Sequence, residues 1–386
     1  MLPLKTLLQR KGMSQARLAR KVSLSPSTIA QLLNKGIWPT NPPRDALQAS
    51  ITAVLTAKGI AVSAAHFEPA PVAEDAENNH NAQEGIDMLL RKQTLSPQAR
   101  KHFGLFRDPF DNDVTEAGDV FVTPDSRYVR EAMWSTAKLG GFIAVAGESG
   151  SGKSTLRRDL IDRIAREDAP IVIMEPYVLG MEDNDMKGKT LKAGSIADSM
   201  IHALSPLEKP RQTMEAKGRQ LHRLLKDSRK AGFVHCLIIE EAHGLSVPTL
   251  KHLKRFFELE DGFKKLLSII LIGQTELKTK LSERAPEVRE VVQRCELVEL
   301  APLDSHLDAY LKFKFDRVGK AFDEVFEAGA LDGLRARLIF SKGGKNDRGT
   351  ISLVYPLMVN NLVTAALNQA ASLGFPKVSA DLIREA

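Results

Sequence analysis

Residues 142–166 read FIAVAGESGSGKSTLRRDLIDRIAR: an apolar run, a glycine-rich octet and an amphipathic segment in direct succession. The octet, Gly147-Glu148-Ser149-Gly150-Ser151-Gly152-Lys153-Ser154, fits the pattern GxxxxGK[ST]. Its glycines let successive backbone N–H groups turn inward around phosphate oxygens. Lys153 is placed to reach the β- and γ-phosphates and Ser154 to ligate magnesium, while the start of the next helix adds a favourable dipole. Thr155 follows directly and joins Glu148, Ser149 and Ser151 among the residues expected around the phosphates. A strand, a phosphate-binding loop and a helix are the expected local structure, with ATP and Mg2+ as the expected ligands.

Outward from this loop, short apolar runs alternate with longer amphipathic ones. FIAVAG is followed by a helical stretch at 154–167 and PIVIMEP by stretches at about 194–205 and 212–231. HCLIIEE is followed by 246–260, and LLSIILIG by 274–294. That alternation predicts an α/β domain whose parallel sheet is covered by helices. After ELVELAPL at 296–303, only helical periodicity is expected to the C-terminus.

The second half of a phosphate-transfer site needs acids at the tip of another strand. Glu240 and Glu241, closing CLIIEE, supply them: Glu240 for the magnesium shell and Glu241 to orient or activate the attacking water. The run LLSIILIG ends on Gly273-Gln274-Thr275, where Gln274, or failing it Thr275, can reach the γ-phosphate and water from the far side. Arg284, Arg289 and Arg294 follow in LSERAPEVREVVQRC. An arginine offered to a neighbouring subunit's nucleotide stabilises transition-state charge, and Arg294, just before the strand ELVEL, is the preferred candidate of the three.

Together the loop 147–154, LIIEEAH, LIGQTEL, the QRC tripeptide and the closing helical segment resemble AAA+ ATPases. More narrowly they are similar to the ExeA, TniB, IstB and phage Mu B group, the phage Mu B type above all. HFGLFRDPF at 102–110 is similar to the opening of ExeA-type ATPases. The resemblance spans roughly residues 100–375 and implies ATP-dependent homo-oligomers, ring or helical filament, with nucleotide at subunit interfaces. It implies an AAA+ P-loop NTPase fold with a C-terminal helical lid, and it offers Arg348 as the lid arginine contacting nucleotide. The acid at the first of the two strand-tip positions is usually Asp, and here Glu240 is one methylene longer.

The N-terminal segment has its own pattern. LKTLLQRKGMSQARLARKVSLSPSTIAQLLNKG, residues 4–36, predicts a helix carrying Leu18, Ala19 and Val22 and capped by Ser14. A short turn at 23–25 leads into a second helix opened by Pro26, with Ile29, Leu32 and Leu33 on its apolar face. This resembles the repressor-type helix-turn-helix, whose second helix enters the major groove. Ser27, Thr28, Gln31 and Lys35 are left to face bases or phosphates, and Arg17, Arg20 and Lys21 to neutralise the backbone. A second basic element, Lys187, Lys189 and Lys192, lies in the long connection LGMEDNDMKGKTLKAG. In related DNA-handling AAA+ proteins, inserts near this position contact DNA.

Charge divides the chain in the same places. Residues 1–66 hold nine Lys/Arg against the single acid Asp45, a net +8, and residues 67–90 hold six acids and no Lys/Arg. A basic head followed by an acidic strip suggests a polyanion-binding module on a solvated tether. Residues 68–85, EPAPVAEDAENNHNAQEG, offer almost nothing to bury, so a flexible linker is expected. The expected division is 1–66, an all-α helix-turn-helix DNA-binding domain; 67–90, an acidic linker; 91–303, the α/β ATPase core; and 304–386, the helical lid. The two cysteines, Cys236 and Cys295, cannot build a disulfide framework or a four-cysteine zinc site. No run approaches the length of a membrane-spanning helix, and the charged N-terminus does not read as a secretory signal. A cytoplasmic location is expected, that of the bacterial host if a phage encodes the chain.

These features lead to the expectation of an ATP-dependent protein that oligomerises on duplex DNA, largely without sequence preference, and delivers that target to a transposase. An ATP-responsive transcription regulator and an ExeA-type secretion ATPase are the alternatives.

Overall fold

The computed structural model describes residues 4, 7–8, 15–22, 24–35, 38–39, 42–57, 64–67, 91–111, 114, 116–176, 191–282, 288–341 and 350–386. Its contacts divide the chain into two compact units, Met1–Met88 and Leu89–Ala386. The expected linker lies outside the described residues apart from Phe67, as do Ser14, Lys187, Lys189, Arg284 and Arg348.

In the first unit, helices α1 (Gln15–Lys21), α2 (Pro26–Lys35) and α3 (Arg44–Thr56) surround one apolar cluster. Leu18 and Ala19 from α1, Ile29, Leu32 and Leu33 from α2, and Leu47, Ile51 and Leu55 from α3 are all buried in it. Leu4, Leu8 and Phe67 close it. Ser25 caps α2: its hydroxyl accepts from the Thr28 N–H at 3.1 Å, which satisfies one of the donors left over at a helix start. Such spacing is what a helical period predicts, and here every apolar position named from the sequence faces inward.

In the second unit, α4 (Pro97–Phe103) and α5 (Pro124–Leu139) precede the sheet. Each starts with a hydroxyl cap followed by proline, Ser96 for α4 and Thr123 for α5. The chain then alternates β1 (Phe142–Ala146), α6 (Lys153–Arg166), β2 (Ile171–Met174), α7 (Ala193–Leu204), α8 (Met214–Lys230), β3 (Val234–Ile239) and α9 (Val247–Phe257). A two-residue-per-strand hairpin, β4 (Glu260–Asp261) with β5 (Lys264–Lys265), leads to β6 (Ser268–Gly273). After α10 (Glu276–Lys280) and α11 (Arg289–Val292) comes β7 (Glu296–Glu299).

The five-stranded sheet has the order β2-β3-β6-β1-β7, and its paired strands are parallel. Alternate side chains go to opposite faces, which explains why the strands read as continuous apolar runs. Phe142, Ala144, Leu237, Ile239, Ile269 and Leu271 enter one core beneath α7, α8 and α9. Ile143, Val145, Cys236, Ile238, Ile270 and Ile272 enter the other, beneath α5 and α6. Burying such a side chain contributes about 1.5–3 kcal/mol relative to exposure, so a sheet covered on both faces is strongly favoured.

Beyond the sheet lie α12 (Leu307–Asp316), α13 (Phe322–Val325), α14 (Ala330–Leu338), β8 (Ile339–Ser341), β9 (Thr350–Ser352), α15 (Pro356–Leu373) and α16 (Ala380–Glu385). Two expectations need correction. The C-terminal region is not purely helical, because β8 and β9 form an antiparallel hairpin. Each strand is three residues long, too short for its period to stand out against helical flanks. The stretch 274–294 is not one helix either: α10 ends at Lys280 and α11 begins at Arg289. Pro286, in the middle of that run, disfavours an unbroken helix.

Residues 91–103 pack on α15. The N–H groups of Gln93 and Ser96 donate to the Asn361 and Asn368 side chains at 3.1 and 2.9 Å, and Gln98 donates to the Ala371 carbonyl. Among the described residues no helix is long and apolar enough to cross a membrane.

Candidate nucleotide site

The site stands at the carboxyl ends of three adjacent strands. In the order β3-β6-β1, the acidic pair follows β3, Gln274 follows β6, and the glycine loop follows β1. The loop is tied to its neighbour from its first residue, since the Gly147 N–H donates to the Gly273 carbonyl at 3.2 Å. Gly150 and Gly152 adopt φ of +74° and +100°, which explains glycine at both. A Cβ on Gly150 would lie 2.1 Å from the Leu357 Cβ, so α15 seats directly against the loop. The Leu357 N–H donates to the Gly150 carbonyl at 3.3 Å. Glu148 accepts from the Thr275 hydroxyl at 2.8 Å.

Lys153 begins α6, and its ammonium donates to the Gly147 and Glu148 carbonyls at 2.8 and 2.7 Å. Burial holds its pKa below that of an ordinary lysine, opposed by the charges of Glu241, Glu148 and Glu276. The helix that carries Lys153 is anchored from behind. Arg130 on α5 grips Asp159 with a two-pronged ion pair at 2.5 and 2.7 Å, and the Asp159 side chain is only 1% exposed. Removing Arg130 strands the buried Asp159 charge, a change that typically costs about 3–5 kcal/mol.

Ser154 and Glu240 meet as the sequence suggested: the Ser154 hydroxyl donates to Glu240 Oε1 at 3.3 Å. A hydroxyl beside a carboxylate is the hard oxygen donor set that magnesium takes. Among the described residues no group of three or more His, Cys, Asp or Glu could hold a metal. A magnesium ion held by Ser154 and Glu240 therefore needs phosphate and water oxygens for its remaining ligands. Arg157, one turn along α6, adds a feature the sequence reading missed. Its Nη1 donates to Glu175 at 2.6 Å, and its Nε stands 3.2 Å from Glu240 Oε2, at ion-pair distance but not aligned as a hydrogen bond.

Glu241 occupies the left-handed region at φ +50°, a strained choice for a residue with a side chain. The turn brings its carboxylate to 3.5 Å from His243 Nδ1. The Gln274 main-chain N–H donates to the same nitrogen at 3.4 Å, so His243 Nδ1 is an acceptor there and stands near Glu241 without a hydrogen bond to it. Glu241 and Gln274 line a cavity of about 330 Å³ together with Ser149, Gly150, Lys153 and Ser154. An adjoining apolar lobe of about 120 Å³ is walled by Val120, Phe121, Leu300, Leu303 and Tyr310. Phe121 packs edge-on against Tyr310 with ring centroids 5.4 Å apart. Ser151 and Leu156 line this lobe, and Thr155 lines both.

Other expected residues do not join this group. Arg294 lies outside both lobes, with Nη2 3.1 Å from Glu258 and Nη1 donating to the Glu290 carbonyl. Arg289 is exposed on α11. Lys192 is exposed at the start of α7. In the first unit Arg20, Lys21 and Gln31 are exposed and Thr28 is half-buried. The side chains of Arg17, Ser27 and Lys35 lie outside the described residues.

Several lining residues were not anticipated: Val120 and Phe121 before the sheet, and Tyr310, Lys314 and Asn360 from the lid. The Tyr310 hydroxyl donates to Asn360 Oδ1 at 2.8 Å, joining α12 to α15 at the cavity wall. The four-residue spacing of Tyr310 and Lys314 puts them on one helix face, but nothing in the sequence distinguishes Lys314 from Lys312.

Residues 137–281 match the family model for an AAA domain, and residues 4–43 match that for a helix-turn-helix. The chain thus joins an AAA ATPase domain to an N-terminal helix-turn-helix. A curated relative, "General secretion pathway protein A" of Aeromonas hydrophila, is 30% identical over 186 residues. That match covers 47% of this chain, which spans 30% of the relative's length. Among solved structures, Cdc6p from Pyrobaculum aerophilum is similar at 13% identity and TM-score 0.46, over 71% of this chain and 68% of that one. The Aeropyrum pernix ORC2 protein is similar at 17% identity and TM-score 0.44, over 72% and 71%.

Proposed function

We propose that this chain binds and hydrolyses ATP at 147–155 and uses the ATP-bound state to hold duplex DNA. The observation that carries this reading is the convergence of Lys153, Ser154, Glu240, Glu241 and Gln274 at the tips of three neighbouring strands. The base enters the apolar lobe between Phe121, Leu300 and Tyr310, and the phosphates follow the loop. Lys153 exchanges its two carbonyl partners for phosphate oxygens. Ser154 and Glu240 would hold magnesium, which when bound would supply positive charge beside the phosphates. Glu241 accepts the proton of the attacking water, and Gln274 orients that water from the opposite side.

DNA is assigned to the helix-turn-helix segment by the net +8 of residues 1–66, with Arg20, Lys21, Thr28 and Gln31 as contacts. Lys192 adds a phosphate contact from the ATPase unit. ATP-bound subunits associate along the duplex, with Arg294 facing the next subunit's nucleotide once it leaves Glu258. In the finer reading this assembly captures target DNA for a transposase, as in proteins of the phage Mu B type. A second reading, a secretion-type ATPase, is favoured by the 30% identity to General secretion pathway protein A.

Binding to random-sequence duplex with ATP, ADP or no nucleotide, across a salt series, tests the proposal. ATP-dependent, cooperative and salt-sensitive coating that K153A abolishes is the expected result. Absence of DNA binding in every nucleotide state sinks it and leaves the secretion reading. Preference for one short site, indifferent to nucleotide, replaces it with a transcription regulator.

A further inference from the structure

Resting on the nucleotide reading above, we propose that Lys314 is the lid's phosphate contact, and that it grips the α-phosphate rather than the γ-phosphate. Lys314 lies on α12 and lines both lobes of the cavity. On the core side, Gly152 and Thr155 at the start of α6 also line both. Lys153, Glu241 and Gln274, which serve the terminal phosphate, line only the larger lobe. Lys314 therefore stands at the seam between the base pocket and the phosphate channel. The phosphate that occupies such a seam is the one bonded to the ribose.

Charge at the seam supports an anionic ligand. Asp119, the acid lining the apolar lobe, is paired with Arg317 at 2.8 Å, and both side chains are largely buried. Lys312, the other lysine of the α12 run KFK, is paired with Asp308. Among the described residues no carboxylate pairs with the Lys314 ammonium, which instead stands 5.7 Å from the centre of the Tyr310 ring. A half-buried ammonium without a counter-ion is costly, and an incoming phosphate supplies one. The start of α15 offers no competing cation: Pro356, Leu357 and Asn360 are the residues it presents to the cavity.

The three nucleotides ATP, ADP and AMP separate the possibilities. Their affinities are measured by titration calorimetry on the full chain and on K314A, K314M and K314R. Lys314→Ala is expected to weaken all three by the same factor, about tenfold. Lys314→Met, which keeps the apolar stem and its packing, gives the same loss at an unchanged unfolding temperature, while Lys314→Arg recovers most of it. Weakening of ATP alone would reassign Lys314 to the γ-phosphate and overturn the proposal, as would unchanged affinity for all three. If the unmodified protein binds none of them, the nucleotide reading itself fails, whatever the variants do.

Discussion

Glu240 is shared between two partners: its Oε1 accepts from the Ser154 hydroxyl at 3.3 Å, and its Oε2 stands 3.2 Å from Arg157 Nε. The carboxylate proposed for magnesium is thus already leaning on a cation from α6, so metal binding competes with that ion pair. Part-exposed pairs of this kind are worth up to about 1 kcal/mol, or roughly fivefold in affinity. R157A is expected to lower the magnesium concentration that half-saturates hydrolysis by about two- to fivefold. A magnesium titration of turnover checks this, and a higher requirement would show that Arg157 helps metal binding instead.

Glu241 tests the division of labour between the two acids. E241Q keeps the shape of the side chain but removes the base, so hydrolysis should slow by about 100-fold or more while ATP affinity stays within twofold. Complexes formed with ATP on DNA should persist. Single-turnover hydrolysis and nucleotide titration distinguish this from a binding defect, and undiminished hydrolysis would remove Glu241 from the chemistry.

Gly150 answers to two constraints at once, its φ of +74° and the nearness of Leu357. The backbone conformation alone penalises alanine by about 1–2 kcal/mol. The 2.1 Å approach to the Leu357 Cβ adds a clash that backbone movement must relieve. G150A should lower the unfolding temperature and weaken nucleotide binding. L357A should not rescue it, because the clashing Cβ remains, whereas L357G should recover part of the loss. Recovery in the G150A/L357A pair would show that the outer side chain, not the Cβ, sets the distance.

The pH dependence of nucleotide affinity has a definite sign. Burial and the Arg317 charge bring the Lys314 pKa down to about 8, with Asp119 pulling the other way. The groups facing this amine are Asp119, Arg317 and Tyr310, with Lys153, Glu241 and Asp111 across the larger lobe. A bound phosphate favours the ammonium form, so its pKa rises on binding and the complex takes up a proton above pH 8. ADP affinity should therefore fall as pH rises from 7.5 to 9.5, by at most one decade per unit for this site. In K314A the part of the fall due to this amine should disappear. Calorimetry in buffers of different ionisation heat reads the proton uptake directly.

The parts of this molecule that were legible in the sequence are those in which one short segment contains its own explanation. Gly147–Ser154 declares a loop because glycine, lysine and hydroxyl follow one another in the order that phosphate binding demands. Ile29, Leu32 and Leu33 declare a helix face by their period, and Glu240 and Glu241 declare a strand tip. What escaped reading is assembled from distant segments. Phe121 and Tyr310 lie 189 positions apart in the chain yet pack edge-on at one cavity wall. Arg157 was within reach, since it stands one helical turn beyond Lys153, but only the fold shows Glu240 and Glu175 on either side of it. The hairpin of β8 and β9 was hidden by its brevity.

Helix α15 touches the phosphate loop through Leu357 at its first turn and holds residues 93–98 through Asn361, Asn368 and Ala371 along its length. It therefore ties the loop proposed to hold phosphate to the strip of chain where the second unit begins. Leu357 and Asn368 lie eleven residues apart on this one helix, about 16 Å along its axis. A displacement of the loop carried by this helix would reach residues 93–98 without passing through the sheet.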